Sequence, residues 1–199
     1  MAAERPLWTV EWRCPDAVLR ALQPSAHEVQ AVAGQLAAFY NEPNNRRMLT
    51  NTVDLDADDV IAHYQSLVAP GAAPFLLTCD GTLVGDGDLR HIVDGDAEVA
   101  IMIGDRTLQG QGLGTRFGIL LHAFAFQSLG LLRTYAAIIP DNAASLRLFA
   151  RLGYRVDDTD AARACADDAT DVTLMLDSHT FLHMHRQQLA EIDIHERAF

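Results

Sequence analysis

Residues 109–115 read QGQGLGT, with Gly110, Gly112 and Gly114 at alternate positions. Glycines so placed let the backbone turn tightly and come close to a ligand. A helix opening at Gly112 would point its first N–H groups outward without partners. An anion binds such a helix start through those N–H groups and the positive end of the helix dipole. The letters narrow the kind of anion site. All 15 basic residues are arginine and none is lysine, so a P-loop, which needs its lysine, is excluded. The dinucleotide pattern GxGxxG fails as well. Counted from Gly110 it meets Thr115 where a third glycine is required, and counted from Gly112 it meets Phe117.

Other reactive side chains cluster less clearly. His179, His183 and His185 lie in HTFLHMH, and the first two have the i, i+4 spacing that can hold a metal on a helix. No cysteine or carboxylate nearby completes a ligand set, so no metal is expected and the segment reads as an exposed or interface stretch. Cys14, Cys79 and Cys165 are odd in number and widely spaced, which points to neither a disulfide framework nor a zinc cluster and suits a reducing cytoplasm. Arg46 and Arg47, beside Asn44 and Asn45, read as part of a solvated loop.

The elements that must carry these groups follow from periodicity. An apolar segment over residues 18–23 precedes Ser25, and Glu28 three residues later gives the spacing of a capping box. A helix is predicted over 26–40, with Val29, Val32, Leu36 and Phe39 or Tyr40 inward, then a loop over 41–52 and a second helix over 56–67. Strands over 75–78 and 82–89 flank the turn dipeptide Asp80–Gly81. A second turn at Asp94, Gly95 and Asp96 leads to the apolar run VAIMI over 99–103, which has the length of a buried central strand. After the glycine-rich segment, Leu113, Phe117, Leu120, Leu121, Phe124 and Leu129 recur at helical spacing. A strand over 134–139, a helix capped by Asn142 and ended by Gly153, and strands over 154–156 and 172–176 complete the order. This is an α+β domain with a mixed, largely antiparallel central sheet flanked by helices. The domain is placed at residues 1–177, with a C-terminal extension at 178–199. Phe181, Leu182, Met184, Leu189, Ile192 and Ile194 make that extension moderately apolar, so it should dock on the domain or on a second copy in a homodimer.

Two of these segments together carry a resemblance. Gln109, Gly110, Gln111, Gly112, Leu113 and Gly114 match [RQ]xxGx[GA], the acetyl-CoA signature of the GNAT superfamily of N-acetyltransferases, in its place after the central strand. NAASLRLFARLGY, residues 142–154, resembles that superfamily's NxxSxxLYxxxGF signature. The resemblance implies the acyl-CoA N-acyltransferase fold and acetyl-CoA as donor cosubstrate, with no metal. By the same resemblance the backbone of residues 109–115, Thr115 included, would hold the CoA pyrophosphate. Backbone groups of Ile101 and Ile103 would pair with the pantetheine arm, Asn142 and Ser145 would contact it, and Phe149 would lie at the cofactor.

Acetyl transfer needs an uncharged amine, whereas an alkyl amine with a pKa of about 10 is mostly protonated at neutral pH. Where many members of the superfamily place a base, at the start of the central strand, this chain has Glu98; Asp86, Asp88 and His91 stand in reserve. Glu98, Ala100 and Met102 should share one strand face, and Val99, Ile101 and Ile103 the other. The superfamily's usual acid is a tyrosine in the late helix, and here Phe149 occupies that position. Either another group such as Tyr154 or Tyr135 serves, or the thiolate leaves unassisted, which a thiol pKa of about 8.5 allows.

The formal net charge of −12 argues against nucleic acid as a partner and favours a cationic one. No basic start followed by an apolar run opens the sequence, and no stretch approaches the roughly 18 apolar residues of a membrane span. The reading is an N-acetyltransferase acting on a primary amine of a small molecule or a peptide N-terminus in the cytoplasm. A non-catalytic acyl-CoA-binding or regulatory module, suggested by Phe149, is the alternative.

Overall fold

The computed structural model describes residues 6–50, 52–69 and 71–197. Its strands are β1 (Trp8–Cys14), β2 (Ala17–Leu22), β3 (Ala73–Cys79), β4 (Thr82–Val93), β5 (Asp96–Ile103), β6 (Arg133–Ile138), β7 (Arg155–Val156), β8 (Val172–Asp177) and β9 (Ile192–Glu196). Its helices are α1 (Ala26–Asn41), α2 (Pro43–Met48), α3 (Ala57–Val68), α4 (Leu113–Ala123), α5 (Ala143–Leu152), α6 (Asp160–Arg163), α7 (Ser178–Met184) and α8 (Arg186–Leu189). The strands form one sheet in the order β7-β8-β6-β5-β4-β3-β2-β1-β9. Every neighbouring pair is antiparallel except β5 and β6, which run parallel. The mixed, mostly antiparallel sheet flanked by helices is the architecture expected from the sequence.

Local chemistry explains the element boundaries. Ser25 and Glu28 close the predicted capping box on α1, and Asp56 with Asp59 closes another on α3. Asp80 and Gly81, with φ of 50° and 81°, make the β3–β4 turn, and Asp94 and Gly95, at 50° and 85°, make the β4–β5 turn. Both pairs are left-handed, the geometry that a tight hairpin on a right-twisted ladder demands. The larger core lies on one face of the sheet, where Phe117, Leu120 and Leu121 of α4, Phe149 and Leu152 of α5 and Phe181 of α7 meet Phe75, Leu77, Val99 and Leu174. The opposite face carries a smaller cluster, Val29, Ala33 and Leu36 of α1 with Val60 and Tyr64 of α3 over Leu76. Leu36 is fully buried there, and truncating it to alanine should cost about 2–5 kcal/mol.

Several elements differ from the sequence reading. β1 was not anticipated, although Trp8, Val10, Trp12 and Cys14 alternate with polar residues as a strand should. The loop expected over 41–52 contains α2, because Glu42 accepts from the N–H groups of Asn44 and Asn45 and Pro43 sits at the first helical position, where its missing N–H is harmless. The connector after β7 contains α6. The helix begun at α4 widens into a π-turn over Phe124–Ser128, closed by Leu129 N–H donating to Phe124 O at 3.1 Å. The extra residue in that turn rotates Leu129 out of the apolar stripe, and it is 41% exposed. The segment after β8 folds onto its own chain: α7 packs on β8, and β9 pairs with β1 through Trp8–Glu196 to Trp12–Ile192. Among the described residues no helix is long and apolar enough to cross a membrane.

Candidate active site

The sheet divides where β5 meets β6. Only Asp96–Arg133, Ala97–Thr134 and Glu98–Tyr135 are paired, and beyond Glu98 the two strands part. Gly104 N–H donates to Val84 O at 2.8 Å, so the even-numbered residues of β5 turn their backbone groups toward β4. Ile101 and Ile103 therefore turn theirs into the split. The Ile103 carbonyl already accepts from Gln109 Nε2 at 2.7 Å, which leaves the Ile101 groups and the Ile103 N–H available.

At the open end of this split stand the starts of two helices. Gly112 is the N-cap of α4 with φ of 84°, and no side chain caps the first-turn N–H groups. Gly110 has φ of 77°, so two glycines of the segment hold a conformation that other residues adopt only under strain. A Cβ on Gly114 would lie 2.6 Å from Leu148 Cδ1, so this glycine lets α4 and α5 approach closely. Asn142 caps α5 by accepting from Ser145 N–H at 3.1 Å. Between them lies a cleft of about 340 Å³. Ile101, Ile103, Leu108 and Leu148 give it an apolar wall, Arg147 and Arg151 of α5 also line it, and among the described residues no aspartate or glutamate does. In a chain of net charge −12 the local sign is reversed. Uncapped N–H groups, two arginines and an open strand edge fit a long thioester-bearing chain with a phosphate end, such as acetyl-CoA.

On the sheet face opposite α4 the register places Asp86 beside Met102, Asp88 beside Ala100 and Arg90 beside Glu98. Asp86 accepts from the hydroxyl of Tyr40 and, at 3.0 Å, from that of Tyr64. Burial raises its pKa to about 6 against the lowering effect of these two donors. Asp88, 8% exposed, is also raised to about 6, by burial first, with Arg90 pulling it down and Asp86 and Glu98 pushing it up. Its Oδ1 lies 3.4 Å from Arg90 Nε, an ion pair whose angle is not that of a hydrogen bond, and both atoms lack a hydrogen-bond partner. Glu98 is fully engaged: Oε1 meets Arg90 Nη2 at 3.1 Å and Oε2 meets His91 Nδ1 at 2.9 Å. His91 has φ of 51° within an irregularity of β4 between Arg90 and Val93, and that bend aims its ring at Glu98. Burial lowers the pKa of His63 of α3, with Arg90 adding to it, and burial raises the Cys165 thiol to about 11, with Glu98 adding to it, so both side chains lie within electrostatic reach of this carboxylate groove.

The sequence-predicted residues thus separate into two groups. Gln109, Gly110, Gly112, Gly114, Thr115, Asn142, Ser145, Ile101 and Ile103 come together in the cleft. Glu98, Asp86, Asp88 and His91 lie on the other face, at and beside the apex of the split. Gln111 closes the preceding turn by donating to Thr107 O at 2.7 Å, and Leu113 points into the core. Phe149 does not line the cleft; its ring is buried edge-on against Tyr154, centroids 4.9 Å apart.

Tyr154 is committed elsewhere. Burial holds His122 low, at about 4, so its ring is neutral and donates from Nδ1 to Gly118 O at 2.7 Å. Its Nε2 therefore accepts from Tyr154 OH at 2.7 Å, and the Tyr154 oxygen accepts in turn from Thr134, 2.8 Å away. His179 and His183 are exposed on α7. His185 is buried, with Nε2 3.2 Å from Leu152 O. Sequence reasoning missed Asn45, Met48, Leu49, Arg147 and Arg151 of the cleft wall. The arginines were legible as residues one turn apart on the signature helix α5. Asn45 was not, because its segment read as loop.

The acetyltransferase (GNAT) domain family matches residues 17–155. An N-acetyltransferase 9-like protein from Nematostella vectensis is 30% identical over 100 residues, which is 50% of this chain and 45% of that protein's length. Among solved structures, Mycobacterium smegmatis RimJ in complex with CoA-disulfide superposes with a TM-score of 0.73 at 15% identity, covering 94% of this chain and 97% of the other. Aminoglycoside acetyltransferase AAC(6')-Ib in complex with coenzyme A gives 0.68 at 14% identity, covering 88% and 98%. The same enzyme with coenzyme A and kanamycin gives 0.67 at 14% identity, covering 88% and 98%.

Proposed function

The chain belongs to the GNAT acetyltransferase family, and from that premise we propose that it moves the acetyl group of acetyl-CoA to a primary amine of a small molecule or a peptide N-terminus. The observation that carries this is the parting of β5 from β6 over the uncapped start of α4, with a carboxylate groove at the apex of the split. The N–H groups at the start of α4, with Arg147 and Arg151, receive the phosphates. The Ile101 backbone takes the arm as an added strand, and the thioester then reaches toward Glu98 and Ala100.

The amine arrives on the groove side as an ammonium, drawn by Asp86, Asp88 and Glu98. One of these must take its proton. Glu98, the base expected from the sequence, spends both oxygens on Arg90 and His91. Asp88 has an oxygen that makes no hydrogen bond and meets only Arg90 Nε, at 3.4 Å, and a pKa of about 6, close to where a general base works best. We therefore assign proton removal to Asp88 and give Glu98 the task of holding Arg90 and His91 in place. The freed amine attacks the thioester carbonyl; as the tetrahedral adduct collapses the C–S bond breaks and the CoA thiolate takes the proton that the nitrogen sheds, with no tyrosine donor, since Phe149 has no hydroxyl and Tyr154 is bound in the core. Relatives that take aminoglycosides such as kanamycin support a multiply charged amine as acceptor.

Incubation with acetyl-CoA and a panel of polyamines, aminoglycosides and short peptides, with free CoA as readout, tests the proposal. Acceptor-dependent CoA release is the expected result. Saturable CoA binding with no release by any amine would favour a non-catalytic acyl-CoA-binding module.

A further inference from the structure

Asn45 is a buried polar side chain in a helix that faces the cleft. Its Nδ2 donates to Phe39 O at 3.0 Å and to Gly104 O at 2.9 Å, and its Oδ1 accepts from Gln109 Nε2 at 2.9 Å. Three partners from three elements meet on one amide: the end of α1, the end of β5 and the residue that opens the glycine-rich segment. The bonds continue into a closed ring. Asn45 N–H donates to Glu42 Oε2 at 2.8 Å, Glu42 Oε1 lies 3.7 Å from Arg106 Nε, and Arg106 Nη1 donates to Gln109 Oε1 at 3.1 Å. The packing beneath is as close, since a Cβ on Gly104 would fall 2.2 Å from the Phe39 ring. One residue past Phe39, Tyr40 reaches across to Asp86 in the carboxylate groove.

We propose that Asn45 is a positioning residue that passes occupancy of the CoA cleft to α2 and, through the end of α1, to the amine groove, so that donor binding prepares the acceptor site. This rests on the acetyltransferase reading above. A phosphate drawn to the N–H groups after Gln109 fixes the backbone of Gln109. Its side-chain amide then holds Asn45, and Asn45 holds both α2 and the Phe39 carbonyl. A coupling of this kind is a free energy shared by the two sites, so it acts equally in both directions.

Hydrogen exchange with CoA as the probe, followed by mass spectrometry on the full chain, reads the coupling directly. In the wild type, CoA should slow exchange both in residues 109–116 and in residues 44–49, the latter by about tenfold. In Asn45→Ala, CoA should still protect 109–116, while protection of 44–49 falls to less than about twofold and the CoA Kd weakens about fivefold. Gln109→Glu, which turns a donor into a repelling oxygen while leaving Asn45 intact, should show the same loss, and it stands in should Asn45→Ala fail to fold. Gln109→Arg, which can donate to both Asn45 Oδ1 and the Ile103 carbonyl, should keep the coupling. Protection of 44–49 that is undiminished in Asn45→Ala or Gln109→Glu overturns the inference while leaving CoA binding in place. A wild type that shows neither heat of CoA binding nor protection of 109–116 overturns the acetyltransferase reading, and the coupling with it.

Discussion

A carboxylate that takes a proton from an ammonium must be ionised and must have an oxygen not already hydrogen-bonded, and Asp88 meets both conditions only above its own pKa of about 6. Activity should therefore fall as pH drops through 6. Asp88→Asn should lower kcat/KM about 10²- to 10⁴-fold and flatten that acid limb. Glu98→Gln gives a different signature: removing its charge takes away one of the influences that raise Asp88 and releases Arg90, so the limb should move below pH 6. A pH–rate profile in which Glu98→Gln abolishes the limb and Asp88→Asn preserves it would return the role to Glu98. The strand face shared by Glu98, Ala100 and Met102 was legible in the sequence, because a strand's alternation needs only one correct anchor. The choice among the carboxylates was not, since it depends on Arg90 and His91, and His91 is aimed by a bend in β4 that no spacing announces.

At the scale of elements, the glycine-rich segment and α5 were legible because their glycines and caps do local work that leaves its mark in letters. Gly112→Ala forces a side chain into φ of 84°, which should cost about 1–2 kcal/mol and weaken CoA binding about tenfold or more, read by thermal melting and calorimetry on one sample. Tyr154→Phe makes the contrasting case. It strips the buried His122 Nε2 of its donor and should cost about 1–3 kcal/mol in denaturant unfolding, with the CoA Kd unchanged because Tyr154 does not line the cleft. Elements whose boundaries depend on distant partners were the ones missed. α2 needs Glu42 as its cap and Asn45 as its anchor, and β9 has a strand partner only because the side of β1 away from β2 is left for it.

For the whole molecule, β9 ties the last described segment to the first helix. Arg197 donates to Glu28 at 2.9 Å and to the Gln23 carbonyl, and Glu28 is the capping-box residue of α1. The Arg197 guanidinium, with Ser25, holds the Glu28 carboxyl down at about 2. A carboxylate lowered from 4.5 to about 2 adds stability that is full above the higher value and disappears as pH falls toward the lower. The pair is partly exposed, so its worth is about 1 kcal/mol. Arg197→Ala should remove that much at pH 6 and little at pH 2, by urea unfolding at both. The parting of β5 from β6 has a consequence of another kind. It leaves a strand edge open inside the molecule, and an open edge is a template on which other chains can pair. An aggregation liability is therefore expected in the place proposed for the CoA arm. CoA would act as a plug as well as a reactant, and light scattering on warming should rise later when CoA is present.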